Sequence, residues 1–309
     1  MRKYLIYATL CLTLLIASCG LANPAATPQN TSTPASSSGP ETGAASISTS
    51  YTSTTTYSQD IRFEHFSLEE GLSQSVVNVI LQDRTGFLWI GTQDGLNRFD
   101  GYEFKIYKPD TSNHNSLSDL WITALTEDKY GNLWVGTRLG GLNRYDPRTG
   151  KFTRFMHRET DLESISNNQV LALLADETGI WVGTELGLDF LDYETEKFIH
   201  YRESSATPNS LSSNWISALA FDPSGNLWIG TKDAGLNFYD KTKETFKTFK
   251  HNEAEATSIS NNRILSILVD KQDRLWVGTA HGLNYSETSG QNFLKFIYDP
   301  NDTNSISDN

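Results

Sequence analysis

The run Asp128-Lys129-Tyr130-Gly131-Asn132-Leu133-Trp134-Val135-Gly136-Thr137, followed by Gly141-Leu142-Asn143-Arg144-Tyr145-Asp146, decides the fold of this chain. The same wording returns around Trp89, Trp181, Trp228 and Trp276, and successive tryptophans stand 45, 47, 47 and 48 residues apart. A fixed period of this length marks one supersecondary unit copied along the chain. Asp-x-x-Gly reads as a turn, because aspartate hydrogen-bonds its own backbone two residues on and glycine accepts positive φ. In the fifth unit Asp273 replaces that glycine, which the left-handed tolerance of aspartate allows.

Around each turn the pattern predicts four short strands. An inner strand precedes it, as from Trp215 to Phe221, and is apolar on both faces. One face carries Val170-Ala172-Leu174 or Ile216-Ala218-Ala220, and the other is led by Leu173 or Leu219. A strand apolar on both faces belongs between two other sheets. Small residues at its middle (Ala124, Ala172, Ala218, Ser266) suit crowding near a central axis. The second strand carries Trp-(Ile/Val)-Gly-Thr, the third Gly-Leu-Asn, and the fourth aromatic pairs such as Phe152 and Phe155. A four-stranded antiparallel unit at this spacing is a propeller blade. Solenoid repeats differ, having a helix or a single strand per coil. The expected fold is therefore all-β: a β-propeller of four-stranded antiparallel blades with five complete repeats.

Residues 61–66, with Phe63-Glu64-His65-Phe66, imitate the end of a unit such as Phe198-Ile199-His200-Tyr201. They read as an orphan outer strand of the kind that completes the last blade of a ring. Asn304-Ser305-Ile306-Ser307-Asp308-Asn309 copies Thr257-Ser258-Ile259-Ser260-Asn261-Asn262, the start of a further unit. The expectation is a piece of a longer ring. Two more units of about 45 residues would give seven blades, while five or six stay open on length alone.

Ahead of the repeats stands an address. Met1-Arg2-Lys3 is a short positive segment, and Tyr4 to Ile16 is apolar but too short for a robust membrane helix. It ends in Leu15-Ile16-Ala17-Ser18-Cys19-Gly20, which resembles a bacterial lipobox. The resemblance implies a lipoprotein signal over residues 1–19, lipidation of Cys19, export, and anchoring at the periplasm or outer cell surface. Two or more acyl chains make such anchoring stable. Residues 20–60 are rich in Ser, Thr, Pro and Ala with almost no charge, the composition of a disordered tether. The propeller then occupies 61–309.

Composition removes several function classes. A net charge of −12 argues against nucleic-acid binding, which needs basic patches. The two cysteines, Cys11 and Cys19, both precede the repeats, so the folded part has neither a disulfide framework nor a cysteine metal cluster. No glycine cluster opens a helix, which disfavours phosphate binding. No cofactor or metal is expected, and no nucleophile or acid–base pair supports catalysis.

The repeats resemble the two-component regulator propeller family through Asp-x-x-Gly-x-Leu-Trp-Ile-Gly-Thr followed by Gly-Leu-Asn-x-Tyr-Asp, over about residues 61–309. The resemblance implies an extracytoplasmic sensor domain of a bacterial signalling protein. In that family a small β-sandwich, a membrane helix and a cytoplasmic histidine kinase or diguanylate cyclase typically follow, and some members sense oligosaccharides. None of those downstream parts is in this sequence. Two alternatives stay open: a surface lipoprotein scaffold for a partner protein, and a propeller lyase resembling the streptogramin lyases. The Gly-Thr after each tryptophan fits the regulator repeats better than the lyase repeats.

A residue present in every blade packs between blades, so Trp89, Trp134, Trp181, Trp228 and Trp276 are assigned to structure. The Gly-Thr and Asp-x-x-Gly groups are read as turns and strand ends. Recognition should sit where the repeats differ, on the loops of one rim. The entries of the inner strands supply Gln74, Trp121, Gln169, Trp215 and Arg263. The links between second and third strands supply Arg138, Glu185, Lys232 and His281. Aromatic faces beside amide and charged groups suit an oligosaccharide or other small ligand. Equally, Trp121 and Trp215 could simply seal the blade mouths. A signalling partner or a dimer is the remaining partner expectation. His65, His157, His200 and His251 fall at the outermost strands and read as solvated edge residues.

Overall fold

A computed structural model of the chain describes residues 64–287 and 290–309. Cys19, the tether 20–60 and residues 61–63 of the expected orphan strand lie outside them. Glu64–Phe66 enter no ladder; Phe66 instead packs its ring 4.9 Å from Phe99 and 5.7 Å from Phe104.

Five separate antiparallel sheets of four strands follow one another. Blade 1 is β1 (Val77–Gln82), β2 (Leu88–Thr92), β3 (Gly95–Phe99) and β4 (Phe104–Tyr107). Blade 2 is β5 (Ile122–Glu127), β6 (Leu133–Thr137), β7 (Leu142–Asp146) and β8 (Lys151–Phe155). Blade 3 is β9 (Val170–Ala175), β10 (Gly179–Thr184), β11 (Leu188–Asp192) and β12 (Phe198–Tyr201). Blade 4 is β13 (Ile216–Phe221), β14 (Leu227–Thr231), β15 (Leu236–Asp240) and β16 (Thr245–Phe249). Blade 5 is β17 (Ile264–Val269), β18 (Leu275–Thr279), β19 (Gly282–Ser286) and β20 (Leu294–Phe296). The expected all-β propeller architecture and its five repeats are what the structure shows.

The core lies between blades. Trp134 of blade 2 sits among Ile165, Val170, Ile180 and Val182 of blade 3, and Trp228 of blade 4 among Ile259, Ile264 and Val277 of blade 5. The apolar residue of the Ser-(Leu/Ile)-Ser lead-ins to blades 2 to 5 is sunk into that core: Leu117, Ile165, Leu211 and Ile259 are at most 1% exposed. The end blades lack a neighbour on one side. Ile80 is 60% and Leu268 61% exposed, against 8% for Leu125 of blade 2. Sheet faces of this kind invite pairing or association.

The motif glycines are not turn residues. Each is the penultimate residue of the second strand of its blade, and in blades 1 to 4 the first inner-strand residue of the next blade presses on it. Their reading as strand ends holds, and the structure adds a packing role between blades in place of a turn. It also relocates the crowding: Ala124, Ala172 and Ala218 are small because each faces that glycine, with a Cβ 3.2 to 3.3 Å from where a side chain would begin.

The turn aspartates do more than turn. The indole Nε1 of Trp89, Trp134, Trp181 and Trp276 donates to Asp83, Asp128, Asp176 and Asp270 at 2.7, 2.8, 3.1 and 3.1 Å. Partial desolvation opposes ionisation of Asp270, but donors from Trp276 and Arg274 prevail and hold it at about 2. This bond explains physically why aspartate and tryptophan travel together through the repeat.

A second clamp ties each lead-in serine to the third strand. Backbone N–H groups of Ser73, Ser118, Ser212 and Ser260 donate to Asn97, Asn143, Asn237 and Asn284 at 2.7 to 3.1 Å. In blade 3 the position is Asp189, fully buried, which accepts from Ser166 N at 2.8 Å and from His200 Nδ1 at 2.6 Å. His200 is therefore no solvated edge residue; His251 is half-buried and bonds its Nδ1 to the Ile259 carbonyl at 2.8 Å, while His157, which bonds the Ile165 carbonyl in the same way, stays exposed beside its outer strand as expected. The Asp189 hydrogen bond raises the His200 pKa above its usual 6.5 despite desolvation. A raised histidine pKa contributes stability that is complete below the unfolded value and is lost as pH rises through the folded one. The melting temperature is therefore expected to fall between mildly acidic and mildly alkaline pH, and D189N, which restores the asparagine of the other blades, should flatten that fall. An unchanged slope in D189N would assign it elsewhere.

Candidate functional site

The two predicted sets of rim residues come together through backbone bonds. Arg138 N donates to Trp121 O, Lys232 N to Trp215 O, and Ala280 N to Arg263 O, each at 3.0 Å. The link of one blade also holds the entry of the next: Gly95 N donates to Leu120 O, Gly141 N to Asn168 O and Gly235 N to Asn262 O, at 2.8 to 2.9 Å. One edge of the sheet stack thus carries both sets.

Gln169, Trp215, Lys232 and Arg263 line a single cavity of about 240 Å³, completed by Leu171, Ser217, Ile264 and Leu265. It draws on blades 3, 4 and 5. A β-bulge near the start of each inner strand re-aims its second residue. In blades 1, 2 and 4 that residue bridges to the next blade: Asn78 to Ile122 O, Thr123 to Val170 O and Ser217 to Ile264 O. In blades 3 and 5 it is Leu171 or Leu265, which supplies the apolar wall of the cavity.

Lys232 lies over the Trp215 ring at 3.2 Å and Arg138 over Trp121 at 4.1 Å, both cation–π contacts. Each indole therefore has one face occupied by a cation of its own blade. A ligand can use the other face, or meet the cation directly. Trp121 and Arg138 form their pair on blade 2, away from the cavity residues. Gln74 is engaged in its own loop, accepting from Val76 N. Glu185 is half-buried and does not line the cavity. His281 is exposed and stands one residue beyond the Arg138 and Lys232 position, which in blade 5 is Ala280. Its place shifts because the Thr279-to-Gly282 hairpin is shorter by one residue than those of blades 2 and 4.

Sequence reasoning missed the opposite opening. The far ends of the inner strands and their turns surround about 450 Å³, lined by Arg84, Glu127, Asp176, Glu177 and Asp222 among others. The signal was present in the turn aspartates and the varying residues beside them.

The fold and rim define the class: a β-propeller of four-stranded antiparallel blades. The family model described as "Two component regulator propeller" matches residues 71–94, 116–138, 210–233 and 258–281. These stretches fall in blades 1, 2, 4 and 5; blade 3 is the one that carries Asp189 and a turn shortened by one residue. "Histidine kinase P4" of Formosa agariphila is 52% identical over 56 residues, which is 18% of this chain and 4% of that protein. The extracellular domain of the putative hybrid two-component system BT3049 of B. thetaiotaomicron superposes with a TM-score of 0.66 at 29% identity, over 75% of this chain and 31% of that one. A streptogramin B lyase matches with a TM-score of 0.58 at 12% identity over 78% of this chain and 74% of that one, a likeness of fold alone. The chain thus spans a small part of the curated relative and about a third of the first solved structure.

Proposed function

We propose that this chain is the extracytoplasmic, ligand-sensing propeller region of a bacterial signalling protein, held at the membrane through lipidated Cys19. The observation that carries the reading is the rim cavity. Gln169, Trp215, Lys232 and Arg263 occupy positions that differ from blade to blade, on a frame that does not, and they converge on one concavity. Amide and cationic donors beside one indole suit a sugar ring, whose hydroxyls need directional partners and whose C–H face accepts an aromatic. The match to regulator repeats and the likeness to an extracellular two-component domain support the cellular setting. Output through a kinase or cyclase would come from outside this sequence.

Binding rather than turnover fits this rim. Its histidine, His281, is solvent-exposed and does not line the cavity. In the complete ectodomain, titrated with defined oligosaccharides, Trp215→Ala is expected to weaken the retained sugar about tenfold, the equivalent of one stacking contact. Unchanged affinity would remove this patch from consideration.

A further inference from the structure

Neighbouring blades repeat one slot beside the motif tryptophan, and the repeats act as controls for each other. Between blades 2 and 3 the slot is filled by Tyr193, the residue after β11, whose ring lies 6.2 Å from Trp134 and 5.6 Å from Tyr130. Arg144, opposite Trp134 in the β6–β7 register, meets Glu196 of the β11–β12 turn at 2.8 Å. Between blades 3 and 4 the filler is Lys241, paired with Asp176 at 2.5 Å and 5.5 Å from the Phe221 ring centre. There Phe190 takes the arginine position and packs on Trp181 at 4.7 Å.

Between blades 1 and 2 both fillers are missing. Pro147 stands where Tyr193 and Lys241 stand, and Gly150 where Glu196 and Glu244 stand. What results is a cavity of about 350 Å³ whose lining includes Asp83, Phe87, Trp89, Arg98, Tyr130 and Pro147. Arg98 pairs with Trp89 in register, as Arg144 does with Trp134. Its guanidinium lies 4.4 Å from the Phe87 ring centre, and its Nε is buried with no hydrogen-bond partner among the described residues. The carboxylates nearby are already engaged. Asp83 accepts from Thr85, Phe87 and Trp89, and Glu127 holds Arg84 at 2.6 Å.

We propose that this slot binds a small aromatic carboxylate, at a site separate from the rim. The ring takes the place that Tyr193 fills one blade on, against Trp89 and Tyr130. The carboxylate takes the place of Glu196 and pairs with the guanidinium of Arg98, whose fork geometry matches it. A buried donor left unpaired is costly, so the folded slot favours an anion that satisfies it. Its volume falls within the range of about 300–1,000 Å³ typical of small-molecule pockets.

The probe is 4-fluorobenzoate, followed by fluorine NMR and calorimetry on the full chain. Saturable binding is expected, with 4-fluorobenzamide at least about tenfold weaker because it lacks the charge. Arg98→Gln should lose binding to a similar degree. Gly150→Glu and Pro147→Tyr import residues that neighbouring repeats already carry. The glutamates at the Gly150 position, Glu196 and Glu244, hold positive φ of 53° and 55°. Both variants should fold and lose the probe, Gly150→Glu with a small loss of melting temperature because Gly150 holds a φ of 70°. Equal binding by the parent and Gly150→Glu, or no binding by the parent at millimolar probe, would overturn the proposal. Neither result bears on the rim.

Discussion

Gly183→Val is expected to separate blades 3 and 4 and leave the chain largely unfolded under conditions where the parent is native. A Cβ at Gly183 would begin 2.7 Å from Ile216 Cγ2, 3.0 Å from Ile216 Cβ and 3.2 Å from Ala172 Cβ. None of these atoms is the free end of a flexible chain, and Ile216 is fully buried. The same seat recurs at Gly91 under Ile122, Gly136 under Val170 and Gly230 under Ile264, each at 2.6 Å. Overpacking a filled core costs about 1–3 kcal/mol and sometimes more, so Gly183→Ala should sit at the upper part of that range and valine beyond it. Blade 5 supplies the control. A Cβ at Gly278 meets first the Ser266 hydroxyl, which can rotate, and no other atom closer than 3.8 Å. Gly278→Ala should therefore cost far less in urea denaturation; equal losses at the two glycines would contradict this packing account.

Trp134→Ala is the second large effect, expected to cost about 3–5 kcal/mol, as deletion of a buried aromatic does. Trp134 is 1% exposed, lies 5.6 Å from Phe155 and is enclosed by the blade 3 core. Its Nε1 also serves Asp128, which is 1% exposed. Trp134→Phe keeps most of the apolar contact but takes a donor from that buried carboxylate, a loss of about 1–3 kcal/mol. Trp215→Ala on the rim gives the contrast. A half-exposed side chain clear of the interblade core should change stability by no more than about 0.5 kcal/mol. If Trp134→Ala and Trp215→Ala destabilise alike in denaturant titration, the division between framework and rim tryptophans fails.

The five blades were legible because each is written in full: a period near 47, a turn, and one motif repeated beside it. The strand count, the blade order and the all-β class followed from that repetition. The function of the motif glycine was not legible, since a glycine before threonine at a strand end looks like a turn until the next blade is placed against it. His200 was misread for a similar reason. Its partner Asp189 is eleven residues away and departs from asparagine by a single atom group, and only the β11–β12 pairing brings them together. Rim positions could be named by their variability, yet which of them share a cavity depends on the arc of the blades. That is why Gln169, Trp215, Lys232 and Arg263 meet while Gln74 and Glu185 do not. The slot beside Trp89 needed the structure as well, because it is defined by what Pro147 and Gly150 fail to fill.

The central claim is that repeated residues build this propeller and unrepeated rim residues recognise its ligand. Its most direct test is an oligosaccharide array probed with the complete ectodomain and with the triple variant Trp215→Ala, Lys232→Ala, Arg263→Ala, each verified as folded by its melting curve. The parent is expected to retain a defined sugar and the triple variant to lose it with its melting temperature unchanged. Retention of the same sugar by both proteins, or of no sugar by the parent, would contradict the account.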